Sequence, residues 1–149
     1  MNNIASLRRL TLALSLTVLS LAGAAAEAPD GKASQPDFKS PVLTRVQVDA
    51  LLAKPEQIVV IDLRRPGEHA SKGAFPAFLS IQAADLEKYL AYIPRDRQVI
   101  TVSNHAGRSG KAADLLASHG FKVAGAVGAE FYEKDGGKLA RIAEPPPKN

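Results

Sequence analysis

The sequence predicts an α/β domain with a mainly parallel central sheet and helices on both faces. Two short runs, 58–61 (IVVI) and 99–102 (VITV), are continuous and β-branched, which is typical of strands buried on both sides of a parallel sheet. Segments with helical apolar spacing alternate with these runs, and that alternation favours parallel strands joined by helices. The roughly 100 residues that carry the pattern are enough for one hydrophobic core.

The N-terminus has the three parts of a secretory signal peptide. Arg8 and Arg9 precede an apolar run over 10–21, and small residues follow it. The run is too short for a comfortable membrane span, and Ala26 and Ala28 both satisfy the small-x-small rule for cleavage. We therefore predict a signal peptide over 1–26 and a periplasmic or secreted protein with no membrane span after cleavage. An uncleaved N-terminal anchor is the alternative.

Charge and composition exclude several classes of partner. The chain has 19 basic and 15 acidic residues, and segment 1–26 holds two of the basic residues and no acidic one, which leaves about +2. Without a Lys/Arg stripe, this charge does not indicate nucleic-acid binding. The chain has no cysteine, and its three histidines are widely spaced, so the sequence predicts no metal site and no cofactor.

The elements follow one another between two irregular segments. Residues 27–41 lack an apolar period and predict a flexible linker, and 143–149 predict a disordered tail. The domain between them is expected to span 42–142. Helices are predicted from an N-cap at Thr44 to Lys54, over 84–92, from Arg108 to a C-terminal cap at Gly120, and from Gly128. Strands are predicted over 58–61, 79–81, 99–102 and 121–127, with a last strand or docking segment at 139–142.

Two groups of residues at the predicted carboxyl ends of strands are candidates for function. The first is the loop after strand 99–102, where backbone N–H groups, the positive end of a helix dipole and a guanidinium favour a sulfate-, phosphate- or persulfide-like group. Its members are Ser103, Asn104, His105, Ala106, Gly107, Arg108 and Ser109. The second comprises Asp62, Arg64 and Glu68, which we expect to brace one another and the neighbouring loops rather than to react.

These motifs resemble those of the rhodanese family of sulfurtransferases over residues 42–140. In that family a strand ends in a cysteine, four residues follow, and Arg-Ser opens a helix; here Arg108 and Ser109 match, and Ser103 stands at the nucleophile's position. The family's Asp-x-Arg-x-x-x-Glu element matches at Asp62, Arg64 and Glu68. Its Gly-His-Ile-Pro-Gly-Ala turn is represented by Gly73 and Pro76, and its Gly-Gly-x-x-x-Trp helix start by Gly128 and Tyr132. Dual-specificity phosphatases of the cell cycle have a loop one residue longer, so the spacing here is the sulfurtransferase one.

The resemblance implies a rhodanese-like fold, but the usual chemistry of the family requires a thiolate that this chain cannot form. We therefore expect a domain that binds an oxyanion, a sulfur compound or a protein partner through loop 103–108 without Cys-dependent sulfur transfer. The alternative is a periplasmic sulfurtransferase-type enzyme that uses a non-Cys mechanism or a thiol supplied by a partner. A Ser103–His105 hydrolytic pair is disfavoured, because side chains two residues apart diverge in such a loop and no third residue orients them.

Overall fold

The computed structural model describes residues 37–141. The predicted signal peptide, residues 27–36 of the predicted linker and the predicted tail lie outside the described residues. Within 37–141, no helix is both long enough and apolar enough to cross a membrane.

Four parallel strands form the sheet. They are β1 (Ile58–Asp62), β2 (Leu79–Ser80), β3 (Gln98–Ser103) and β4 (Val123–Gly128), in the spatial order β2-β1-β3-β4. Strand β3 therefore lies inside the sheet, paired with β1 from Ile58↔Gln98 to Asp62↔Val102 and with β4 on its other side. The predicted parallel α/β architecture is confirmed.

Helices cover both faces of this sheet and close two cores. On one face, α1 (Arg45–Leu52) and α4 (Ala129–Lys134) pack on Ile58, Val60, Ile100 and Val102. On the other, α3 (Gly107–Ser118) and a 3₁₀ helix (Ala83–Tyr92) pack on Ile61 and Val99. The two sets alternate along β1 and β3, because successive side chains of a strand point to opposite faces.

The ends of the helices explain where sequence and structure differ in detail. Thr44 caps α1 through a capping box with Gln47, as the pattern predicts. The strand expected from residue 121 begins only at Val123, because Phe121 N–H donates to the Leu116 carbonyl and Gly120 N–H to that of Ala117. These two bonds form a Schellman motif, with Gly120 at φ 78°, so Phe121 still belongs to the end of α3.

Three further segments differ in detail from the predicted elements. The helix predicted over 84–92 is a 3₁₀ helix, and the segment expected at 139–142 contributes one isolated antiparallel bridge, Ala74↔Ala140. Helix α2 (Pro66–Lys72), which follows β1 directly, was not among the predicted helices.

The last residues of the predicted linker, 37–41, are fixed to the domain. The Asp114 carboxylate on α3 accepts hydrogen bonds from the N–H groups of Lys39 and Ser40, both at 2.7 Å, and from the Ser40 hydroxyl at 2.6 Å. Residues 39 and 40 of the predicted linker are thus hydrogen-bonded to α3, a contact that their composition does not indicate, and the linker over 27–41 stays a prediction.

Candidate functional site

The candidate loop leaves the carboxyl end of β3 at the centre of the sheet. Ser103 is the last residue of β3 and α3 begins at Gly107, so three residues make the turn. Ala106 adopts a left-handed conformation with φ 67°, an uncommon state for a residue with a Cβ. Within 37–141, the backbone N–H groups of residues 105–108 donate to no carbonyl, which leaves a cluster of donors at the start of α3.

Ser103 lies beneath this loop with its hydroxyl fully engaged. The residue is buried, its Oγ accepts a hydrogen bond from Ser109 N–H at 3.1 Å, and it donates to Ser109 Oγ at 3.0 Å. Ser109 Oγ in turn lies 3.0 Å from the carbonyl oxygens of both Ala106 and Val127. No basic side chain of the described residues is hydrogen-bonded to Ser103.

A carboxylate, Glu68 on α2, bridges two residues of the loop, Asn104 and Arg108. Its Oε1 accepts hydrogen bonds from Asn104 Nδ2 at 2.7 Å and from an Arg108 guanidinium nitrogen at 3.1 Å, while its Oε2 accepts from Arg65 N–H at 2.7 Å. The Arg65 N–H bond, with smaller contributions from Arg108 and Asn104, lowers the pKa of Glu68 to about 2, against the opposing effect of burial. Glu68 is thus ionised at neutral pH.

A second carboxylate, Glu130 on α4, contacts the loop at His105. It contacts Lys72 Nζ at 2.5 Å and His105 Nε2 at 2.6 Å. The hydrogen bond from Lys72, then that from His105, lowers the pKa of Glu130. His105 is mostly exposed and its ring packs on Phe131, so it is turned towards Glu130 and does not form a hydrolytic pair with Ser103.

The second candidate group divides into two parts. Asp62 and Arg64, both fully buried, form a pair in which Oδ2 lies 2.7 Å from a guanidinium nitrogen and Oδ1 accepts from Nε at 3.0 Å. The guanidinium also donates to the Gly73 carbonyl at 3.0 Å and so fixes the turn after α2. Within 37–141, Glu68 makes no hydrogen bond to Asp62 or Arg64; it braces the neighbouring loop through Asn104 and Arg108.

Two site residues lay outside the sequence-based prediction of this site. His69 is buried, with Nε2 3.2 Å from Asp62 Oδ1 but without hydrogen-bond geometry, and its ring packs edge-on against Phe78. Glu130 is 25 residues from His105 along the chain, and no local spacing links them. In the part of the chain that the structure describes, no cluster of three His, Cys, Asp or Glu side chains is arranged to hold a metal ion.

Comparison with known proteins rests on solved structures, since no protein-family model and no curated protein matches the sequence. A rhodanese-related protein from Thermoplasma volcanium aligns over 69% of this chain and 98% of its own, with 21% identity and a TM-score of 0.57. A protein of unknown function from Rhodopseudomonas palustris, described as a possible tyrosine phosphatase, aligns over 68% and 85%, with 24% identity and a TM-score of 0.59.

A third match is to a thiosulfate sulfurtransferase from Pseudomonas aeruginosa. It has 28% identity and a TM-score of 0.56 over 68% of this chain, and the aligned part spans only 20% of that enzyme. At these levels of identity the likeness concerns the shared fold of the domain.

Proposed function

We propose that this chain, whose domain has the rhodanese-like fold, is an exported binding protein that holds a small oxyanion or sulfur compound at loop 103–108 and carries out no Cys-dependent sulfur transfer. The observation that carries the proposal is the state of Ser103. At the position that the family's nucleophile occupies, a buried hydroxyl is hydrogen-bonded both as donor and as acceptor to Ser109.

The loss of nucleophilic chemistry follows from that arrangement. A serine hydroxyl attacks only when a positioned base takes its proton, and the nearest histidine in the chain, His105, is paired with Glu130. The chain also has no cysteine to take its place. Removing an attacking nucleophile lowers reaction rates by orders of magnitude while binding groups remain in place.

The groups that remain favour an anion. The N–H groups of residues 105–108 have no backbone acceptor within 37–141 and lie at the start of α3, and about two-fifths of the Arg108 side chain is exposed. Unbonded N–H groups at the start of a helix, together with a guanidinium, favour sulfur and phosphorus oxyanions. Glu68 already uses one part of Arg108, so an external ligand must share or displace that contact.

Binding is tested by titrating the ¹⁵N-labelled protein with sulfate, sulfite and thiosulfate at fixed ionic strength. We expect the amide signals of residues 104–108 to shift with a dissociation constant of about 1 mM or below, and Arg108→Ala to weaken binding about tenfold. Lys122→Ala removes a charge before β4, at the opposite end of the strands from the loop, and should leave the affinity unchanged. An equal loss of affinity in the two variants would mean that only the net charge of the protein matters, and it would contradict the proposed site.

Chemistry is tested separately by thiosulfate-to-cyanide sulfur transfer with the natural chain from residue 27 and its Ser103→Cys variant. We expect turnover only from the variant. Turnover by the natural chain would overturn the proposal in favour of a periplasmic sulfurtransferase with a non-Cys mechanism or a thiol supplied by a partner. Silence from both would mean that the loop does not position a thiol for reaction, and the anion titration would then decide whether it binds.

Export is the part of the proposal that rests on segment 1–26 alone. Cell fractionation should recover the protein outside the cytoplasm, with an N-terminus at Glu27 or after Ala28. Recovery of the uncut chain in the membrane fraction would instead favour an N-terminal anchor.

A further inference from the structure

The edge of the sheet on the β2 side is only partly paired. Strand β2 has two residues, and its register, Ile61↔Leu79 and Asp62↔Ser80, covers the carboxyl end of β1. The chain before β2 is diverted from the sheet, because Ala74 exchanges two backbone hydrogen bonds with Ala140 and Pro76 has no N–H to donate. Among residues 37–141, nothing pairs with the first half of β1 on this side, and we call this half the free edge of β1.

The backbone groups on that edge can be identified from the register. Leu63 N–H donates to Val102 on β3, whereas Ile81 N–H donates to Asp62 on the β2 side. Since the hydrogen-bonding direction alternates along a strand, Ile58 and Val60 face the β2 side as Asp62 does. The β2 register uses the Val60 carbonyl, and within 37–141 the Val60 N–H and the Ile58 carbonyl have no partner.

An apolar pocket of about 220 Å³ lies over these unpaired groups. Its lining consists of Leu52 at the end of α1, Pro55 just after it, residues 58–60 of β1, turn residues 76–78, and Arg97. Phe78 forms a fixed wall, because its ring packs on the buried His69. Val60 is only 4% exposed and lines the pocket, so its N–H, without a partner in 37–141, belongs to a buried residue beside an apolar space.

Arg97 gives the pocket a charge at one end. It precedes β3, and Gln98 pairs with Ile58, so the guanidinium belongs to the end of the pocket where β1 begins. Arg97 is exposed, and no carboxylate of the described residues lies within ion-pair distance of it. The pocket thus combines unpaired strand backbone, apolar walls and a free cation.

We propose that this pocket binds the carboxyl-terminal residues of an apolar peptide, which adds to the free edge of β1 and places its terminal carboxylate at Arg97. Addition of a strand supplies a carbonyl for Val60 N–H and an N–H for the Ile58 carbonyl. With the carboxylate at the beginning of β1, the peptide runs antiparallel to that strand. A chain interior lacks this charge, and a polar side chain would lose its hydration against Leu52 and Phe78 without a partner.

The site is independent of loop 103–108, which lies at the opposite end of the strands. Its test uses the ¹⁵N-labelled full chain and two probes, N-acetyl-Ala-Val-Val as the free acid and as the carboxyl-terminal amide. Valine suits a pleated, half-buried strand. We expect the free acid to shift the amide proton of Val60 to lower field, as a new hydrogen bond does, and the amide probe to bind at least fivefold more weakly.

Two variants separate the contribution of Arg97 from general charge. Arg97→Gln should weaken binding of the free acid about fivefold and remove its advantage over the amide probe. Lys122→Gln removes a charge from the same end of the sheet, two strands from β1, and should change neither affinity. The proposal is overturned if the Val60 signal does not move at roughly 5 mM free acid, if acid and amide bind equally, or if Lys122→Gln has the same effect as Arg97→Gln.

Discussion

At the scale of single residues, the hydroxyl of Ser109 connects the loop to the sheet beneath it. It accepts from Ser103 and donates to the Ala106 or Val127 carbonyl, and the residue is fully buried. Ser109→Ala removes the acceptor of the buried Ser103 hydroxyl proton and one donor to these carbonyls, so we expect a loss of about 1–2 kcal/mol in the free energy of unfolding by urea. Ser118→Ala, the same change at an exposed position of α3, should cost less than about 0.5 kcal/mol. Equal losses would show that the buried hydroxyl makes no special contribution.

The Glu68 carboxylate is an anion of the protein itself that already contacts loop 103–108. Its Oε1 accepts from Asn104 and Arg108, two groups that an external oxyanion would also use. Glu68→Gln keeps a side-chain oxygen but removes the charge, and we expect the affinity for sulfate or thiosulfate to rise about three- to tenfold. The control is Glu87→Gln, on the exposed side of the 3₁₀ helix, measured in the same titration. An unchanged or lower affinity for Glu68→Gln would mean that the carboxylate orients Arg108 for the ligand.

The low pKa of Glu68 also predicts how stability depends on pH. Because the pKa falls from an ordinary 4.5 to about 2 on folding, the folded state binds fewer protons than the unfolded state between these values. The contribution of Glu68 is therefore complete above about pH 4.5 and is lost as the pH falls towards 2. We expect the gap between the urea midpoints of the natural chain and Glu68→Gln to narrow between about pH 6 and pH 3. A gap that stays constant over this range would contradict the shift.

The residue scale also marks the limit of sequence-based prediction for the candidate site. The Asp62–Arg64 pair could be predicted, because the two residues are only two positions apart in the sequence and both lie at the end of a strand. The contacts of Glu68 with Asn104 and Arg108 depend on the direction of α2 relative to β3, which no local spacing contains. The pairing of His105 with Glu130 likewise requires β4 and α4 to be in place.

At the scale of elements, α3 is the support for both the loop and the N-terminal segment 37–41. A Cβ placed on Gly110 would lie 2.3 Å from the Phe38 ring, whereas one on Gly107 would meet nothing within 4 Å. We expect Gly110→Ala to displace Phe38 and to lower the thermal midpoint by several degrees, about 1–2 kcal/mol, with faster proteolysis near residue 40. Gly107→Ala should leave the rate of cleavage there unchanged. Equal protection of residue 40 in both variants would show that Phe38 does not depend on Gly110.

The elements themselves were predictable to different degrees. The runs that became β1 and β3 are apolar throughout because both faces of these strands are buried, so the sequence carries a strong signal there. The 3₁₀ geometry of Ala83–Tyr92 left no such signal, since apolar residues three and four apart suit both kinds of helix. Strand β4 starts later than predicted because a Schellman motif ends α3. Gly120 indicates this motif in the sequence, but only the hydrogen bonds show that the motif includes Phe121.

At the scale of the whole molecule, the two outer edges of the sheet differ in how completely other segments of the described chain cover them. The β2 edge is partly open, but the β4 edge is covered by residues 41–43: Ala126 N–H donates to the Pro41 carbonyl at 2.8 Å, and Leu43 N–H donates back to Ala126 at 2.9 Å. Gly125 permits this close approach, because a Cβ there would lie 2.7 Å from the Pro41 carbonyl oxygen. Covering an edge removes a row of unpaired backbone groups that would otherwise pair with another chain.

The contacts of residues 37–43 predict where the folded domain begins. A chain starting at residue 44 loses the backbone bonds to Ala126, the Asp114 contacts and the Phe38 ring, so its free energy of unfolding should fall by ~2–4 kcal/mol relative to one starting at residue 37. Its exposed β4 edge should also raise its tendency to associate. Urea unfolding and sedimentation of the two chains, with a third starting at residue 27, check both expectations. The chain from 27 serves as the reference, and equal midpoints for the chains from 37 and 44 would place the boundary of the domain after residue 43.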